Sequence, residues 1–193
     1  MNWKNTIVID NYDSFTYNLV QIIEEIIGVE PKVKRNDEIT ATECLEYDYI
    51  ILSPGPGIPS ESGKLIDIIE TCKSLKKIFG VCLGLQAIGE VFGSQLENLG
   101  RVYHGIQTEV KKSNCEHIIL KDLPEKFQAG RYHSWVINKE NCSEELLITS
   151  KDDKEEIMSA RHKTLAVYGV QFHPESILTP EGKQMIQNFY QHG

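Results

Sequence analysis

The chain of 193 residues contains no C-x-x-C pair. Its five cysteines, Cys44, Cys72, Cys82, Cys115 and Cys142, are odd in number and widely spaced, which argues against a zinc knuckle or a thioredoxin-like dithiol. Positive charge is in short supply. Twenty Lys plus Arg stand against 28 Asp plus Glu, a formal charge of -8, so a phosphate-backbone binder is not expected and nucleic acid is not an expected partner. No apolar run approaches the length that spans a bilayer. The first apolar run, Thr6–Asp10, is too short for a signal peptide and has no small-residue cleavage site after it. A soluble, cytoplasmic chain with no membrane partner is expected, with most cysteines as buried free thiols. Repeats, low-complexity tracts and linkers are missing too, so one domain over residues 1–193 is the simplest organisation. Apolar content of 40% and charged content of 25% suit an ordinary globular core.

What is present is an alternation of strand and helix signals. Thr6–Asp10 reads as a strand. A helix over Phe15–Ile27 follows, capped by Asp13 or Ser14 and closed by Gly28. Lys32–Arg35, Tyr49–Ser53 and Lys77–Val81 read as further strands. A helix near Lys64–Leu75 puts Leu65, Ile68, Ile69 and Cys72 on one face, and another over Leu83–Phe92 turns Ala87, Ile88 and Val91 inward. This α/β pattern predicts a central, mostly parallel sheet flanked by helices on both faces. Beyond Gly93 the pattern changes to short strands at Ile118–Leu120, Trp135–Ile137, Leu146–Thr149, Ile157–Ala160 and Leu165–Phe172, an additional β-rich part in the second half. Pro180–His192 reads as a last helix with proline in its first turn.

Gly80-Val81-Cys82-Leu83-Gly84 lies between a predicted strand and a predicted helix. A nucleophile-type residue flanked two positions away by glycines matches a strained strand-to-helix elbow. There Cys82 meets the positive end of a helix dipole, which favours negative charge on sulfur. The Leu83 N–H is an unpaired helix donor able to meet an oxyanion, and Gln86 emerges nearby on the same helix face. The pentapeptide alone fits a buried thiol between incidental glycines equally well. His173-Pro174-Glu175 supplies an imidazole and a carboxylate at i and i+2, which share a face in extended chain. Such a pair can orient a general base, and it also fits a solvated strand end. Ser53-Pro54-Gly55-Pro56-Gly57 follows a buried strand, where ligands bind in a parallel sheet. Gly57 N–H is a second candidate oxyanion donor, although a plain surface turn has the same composition. Arg131-Tyr132-His133-Ser134-Trp135 carries polar groups at a strand start.

Together these segments resemble the class I, triad-type glutamine amidotransferases. More narrowly the chain resembles component II of anthranilate synthase and of para-aminobenzoate (aminodeoxychorismate) synthase. The resemblance rests on the Asp10–Leu19 segment (DNYDSFTYNL), Leu52–Gly57, Gly80–Ala87, His104-Gly105, Arg131–Ser134 and Val170–Thr179, and so runs over nearly the whole chain. It implies a flavodoxin-like fold with Cys82 as nucleophile, His173 as general base and Glu175 as its orienter. It also implies that Gly55, Pro56, Gly57, Leu83, Gln86, Ser134 and Trp135 bind L-glutamine. A chorismate-using synthase subunit (component I) is the implied partner, taking ammonia for anthranilate or 4-amino-4-deoxychorismate. No metal and no cofactor is implied. A free-standing γ-glutamyl hydrolase with the same triad, and a non-catalytic regulatory subunit, are the alternatives. Leu85 stands where such components most often carry histidine, and Trp135 where leucine is commoner.

Overall fold

Strands form where short apolar runs are flanked by turn residues. In chain order they are Thr6–Asp10 (β1), Lys32–Arg35 (β2), Tyr49–Leu52 (β3), Lys77–Val81 (β4), Leu96–Asn98 (β5), Ile106–Lys112 (β6), Lys126–Arg131 (β7), Trp135–Ile137 (β8), Leu146–Lys151 (β9), Ile157–His162 (β10) and Val167–Val170 (β11). The computed structural model describes residues 3–115 and 117–193. Nine strands form one sheet in the order β2-β1-β3-β4-β11-β10-β9-β6-β7. The first five are parallel and the remaining joins antiparallel. The parallel part has the doubly wound order 2-1-3-4-5 of flavodoxin-like folds. β5 and β8 make a separate antiparallel pair. The β-rich second half is therefore mostly an extension of the central sheet.

Alternation along the strands builds a core on each face. Val8, Tyr49, Ile51, Phe79 and Val81 face Thr16–Ile27 (α1) and Gly182–His192 (α5). Ile7, Ile9, Ile50, Leu52 and Ile78 face Ala41–Cys44 (α2), Leu65–Cys72 (α3) and Leu83–Val91 (α4). Leu65, Ile68, Ile69 and Cys72 all point inward, as do Ala87 and Ile88, whereas Val91 is only half-buried.

Several local expectations are corrected. Ile118–Leu120 is a turn, not a strand. Its backbone bonds are local, Leu120 N–H to His117 O and Lys121 N–H to Ile118 O, and Asn188 Nδ2 from α5 binds the Ile119 and Lys121 carbonyls. Its apolar side chains still enter the core. Phe15, not Asp13 or Ser14, occupies the cap position of α1, although Asp13 Oδ1 accepts the Phe15 N–H at 2.7 Å. Pro180 lies outside α5, which begins at Gly182. Leu165–Phe172 contracts to β11. β6 carries too many exposed polar residues for its sequence to read as a strand, and β7 offers only Phe127 and Ala129 as an apolar signal.

Helix α4 reaches the sheet only because Gly80 and Gly84 have no side chains. A Cβ on Gly80 would sit 2.5 Å from the Gly84 carbonyl carbon, and one on Gly84 would sit 2.8 Å from Leu52 O. Overpacking of this kind costs roughly 1–3 kcal/mol. Gly80→Ala should therefore lower Tm by about 2–10 °C in calorimetry. An unchanged Tm would show that the contact between β4 and α4 is looser than described.

Candidate active site

Cys82 occupies the cap position of α4 at φ 52°, ψ -101°. A side-chain-bearing residue held there stores strain of order 1–3 kcal/mol. Three contacts enforce it. Cys82 N–H bonds Val170 O at 2.8 Å, Cys82 O accepts the Gln86 N–H at 3.1 Å, and the two glycines let the chain turn sharply. The thiol is almost fully buried yet borders a cavity. Leu83 opens the helix, so its N–H has no intrahelical acceptor.

The parallel register pairs Val81 with Val170, which brings the next residues, Cys82 and Gln171, side by side. His173 lies two residues further on. Its N–H bonds Gly130 O at 2.9 Å, and its carbonyl accepts from Thr179 Oγ1 at 2.7 Å. His173 Nδ1 is 2.7 Å from Glu175 Oε1. The two residues do not lie along an extended strand, as their i, i+2 spacing suggested. They meet inside a tight turn closed by Ser176 N–H to His173 O at 3.1 Å. Phe15 and Tyr132 pack on the imidazole, with centroids 5.6 and 4.8 Å away. Burial by itself lowers the pKa of His173. The Glu175 charge and hydrogen bond, together with Cys82, outweigh burial and hold it well above the ordinary value. Nδ1 being taken by Glu175, the other ring nitrogen, Nε2, is left for Cys82, with no fully formed hydrogen bond among the described residues.

The cavity beside Cys82 has a volume of about 200 Å³. Gly55, Pro56, Gly57, Gln86, Ser134 and Trp135 line it with Cys82. Leu83 does not; its side chain is buried beneath the site. Val102, Tyr132 and His133 also line the cavity. Of these only His133 stood out in the sequence, through its neighbours Arg131 and Ser134. The Pro54–Gly57 loop is tied down by Asn11, which binds Ser53 Oγ through its N–H (2.9 Å) and Ser53 O through Nδ2 (2.8 Å). Gly55 packs so closely on Asn11 that a Cβ would fall 2.6 Å from the Asn11 Cβ, and Gly57 takes a left-handed φ of 74°. Behind the cavity the fully buried Arg131 pairs with Asp152 and donates from Nε to His133 Nε2 at 3.0 Å. Burial and the Arg131 charge push His133 down to about 3, so its ring is neutral.

Three of the other cysteines are held in their neutral form by burial. Burial pushes Cys44 up to about 12 and Cys72 to about 11, and raises Cys142. Among the described residues no group of three or more His, Cys, Asp or Glu could hold a metal ion, and no helix is long and apolar enough to cross a membrane. A larger cavity of about 360 Å³, bordered by Lys112, Cys115 and His117, contains none of the groups around Cys82.

The chain that carries this site has counterparts among known proteins. The family model described as glutamine amidotransferase class-I matches residues 7–192. The chain belongs to this family. It is 44% identical over 188 residues to the aminodeoxychorismate/anthranilate synthase component 2 of Bacillus subtilis, covering 95% of this chain and 94% of that protein. It is 43% identical over 189 residues to the bifunctional protein TrpGD of Thermotoga maritima, covering 96% of this chain but only 32% of that longer relative. Among solved structures it superimposes on a putative GMP synthase subunit protein from Thermoplasma acidophilum with TM-score 0.84 at 26% identity, covering 95% of this chain and 90% of that one.

The amidotransferase site has a testable charge balance. A histidine whose folded pKa is raised stabilises the fold fully below its unfolded value of about 6.5, and that contribution is lost as pH rises through the folded pKa. Glu175→Gln should lower the midpoint of His173 in imidazole nitrogen NMR and shrink this extra stability, most fully below pH ~6.5, where it is otherwise complete. A His173 midpoint unmoved by Glu175→Gln would mean that the carboxylate does not govern the imidazole.

Proposed function

We propose that the chain hydrolyses L-glutamine at Cys82 and supplies the ammonia to a chorismate-using synthase subunit, in anthranilate or 4-amino-4-deoxychorismate formation. The observation that carries the reading is the buried His173–Glu175 pair, 2.7 Å apart, set beside a strained elbow cysteine that opens onto a small cavity. The named component 2 relatives match nearly the whole length of this chain, which supports the pathway part of the proposal.

The chemistry runs through Cys82 and His173. The Cys82 sulfur attacks the side-chain amide carbon of glutamine, forming a C–S bond and a tetrahedral oxyanion. The N–H groups of Leu83, unpaired at the start of α4, and of Gly57, in the cavity lining, are the donors assigned to that oxygen in this reading. The protonated His173 Nε2 transfers its proton to the amide nitrogen, the C–N bond breaks and ammonia leaves. Water then gives a proton to the same Nε2 and attacks the glutamyl thioester, releasing glutamate and the thiolate. Glu175 holds the ring by Nδ1 and stabilises its charged form. Gln86, with the backbone of Ser134 and Trp135, grips the amino-acid end of the substrate, beside Gly55 and Pro56.

Large apolar side chains are exposed at Val102 in the cavity lining and on two further segments, a feature that suits a docking partner. Val102, which lines the cavity, is 75% exposed, Ile106 48%, and Ile177, just past the His173 turn, 95%. A free-standing γ-glutamyl hydrolase would not need these exposed side chains. A regulatory subunit would not need the buried triad.

The test is a paired assay of the chain reconstituted with a chorismate-using subunit. Cys82→Ser should cut glutamine-dependent product by roughly 10⁴–10⁶-fold while leaving product from ammonium salt intact. The unmodified chain alone should hydrolyse glutamine slowly and accelerate on binding the subunit. Equal loss with both nitrogen sources, or full activity without a partner, would contradict the coupled-subunit reading.

A further inference from the structure

A buried hydrogen-bond chain runs from the Arg131–Asp152 ion pair to the Cys82 sulfur, and its direction is determined link by link. Arg131 can only donate. His133 Nε2 must therefore accept from Arg131 Nε, which leaves Nδ1 as the donor to Trp135 O at 3.0 Å. The Trp135 carbonyl can only accept, so Gln86 presents its amide nitrogen there, at 2.8 Å, and not its oxygen. The same Gln86 nitrogen lies 3.3 Å from Gln171 Oε1. Gln171 thus turns its oxygen toward Gln86 and its Nε2 toward Cys82 Sγ, 3.5 Å away. None of these links can be reversed without leaving two acceptors or two donors face to face. Gln171 itself is fully buried.

We propose that Gln171 is a further catalytic residue, whose carboxamide N–H donates to Cys82 Sγ and steadies the charged sulfur before attack, with Gln86 fixing the orientation of that carboxamide. The inference rests on Cys82 being the nucleophile. A donor to a thiolate stabilises the anion and restricts the sulfur to one direction, whereas a neutral thiol gains little from it. Gln171 is placed for this role by the sheet itself, since Cys82 N–H bonds the carbonyl of the preceding residue, Val170. The other titratable groups facing the sulfur are His173, from the turn after β11 with Glu175 behind it, and the neutral His133. Helix α4 brings Leu83 and Gln86 beside it, and the Pro54–Gly57 loop carries no charged residue.

The experiment follows carbamidomethylation of Cys82 by iodoacetamide against pH in the full chain, read by peptide mass spectrometry. Inactivation by a glutamine chloroketone is measured in parallel. Gln171→Met removes the donor at similar length, and Gln171→Glu replaces it with an isosteric carboxylate. The Met variant should move the Cys82 midpoint up by roughly one pH unit, a tenfold change in thiolate fraction, and the Glu variant further. The limiting inactivation rate should fall roughly tenfold while apparent chloroketone binding stays within about twofold. A merely structural residue would alter stability or binding and leave the midpoint in place. An unmoved midpoint in either folded variant overturns the proposal, and the Glu variant decides if the Met variant does not fold. Failure of the nucleophile assignment is read separately. If Cys82→Ser keeps glutaminase activity, that assignment fails, whereas an inactive Cys82→Ser with an unmoved midpoint in the Gln171 variants sinks only the role given to Gln171.

Discussion

The parallel pairing of β4 with β11 is the constraint on which the rest of the site depends. Val81 lies opposite Val170 and Gly80 opposite Gly169. Cys82 and Gln171, 89 positions apart in sequence, therefore leave the sheet as neighbours, and the His173 turn follows within reach. The pairing also sets how close α4 can come. A Cβ on Gly169 would fall 2.7 Å from Leu85 Cδ1, so the fully buried Leu85 packs onto bare backbone at that point. Leu85 is thus a packing residue, which accounts physically for an apolar side chain at this position.

Around that pairing the molecule holds two costly features in place. One is the Cys82 backbone conformation, kept by bonds to Val170 and Gln86. The other is a set of buried charges: Glu175 with His173, and Arg131 with Asp152. Buried charges persist only when paired and hydrogen-bonded, and removing one partner typically costs roughly 3–5 kcal/mol. Arg131 reaches the cavity beside Cys82 only through His133, which lines it, and His173 sits under Tyr132, which lines it as well. Asn11 and Phe15, from the segment after β1, connect the Pro54–Gly57 loop and the imidazole to a single turn.

Much of this was legible in the sequence, and the reasons for the gaps are physical. The parallel half reads well because its strands are buried on both faces and appear as continuous apolar runs such as YIIL and KIFGV. β6 and β7 do not, because IQTEVKK buries only Val110 and the signal of a half-exposed strand is weak. Ile118–Leu120 has strand-like side chains, but its Ile118 and Leu120 carbonyls close local turns and the Ile119 carbonyl is taken by Asn188, a partner far off in sequence. The elbow and the His-Pro-Glu turn were visible as local patterns, and so were most of the cavity residues. The extended geometry inferred for His173 and Glu175 was not borne out, since the i, i+2 spacing also fits a turn. Gln171 and the Arg131–Asp152 pair left no local trace, because their meaning lies in contacts 21 to 89 positions away.

The central claim is that β4–β11 pairing makes Cys82 the residue that carries the glutamyl group. The most direct test is acid quenching of the chain during glutamine turnover, followed by peptide mass mapping. The account predicts a glutamyl adduct on the peptide containing Cys82, accumulating when water attack is slowed and absent in Cys82→Ser. Glutamate released with no adduct on Cys82, or an adduct carried by Cys44, Cys72, Cys115 or Cys142, would contradict it.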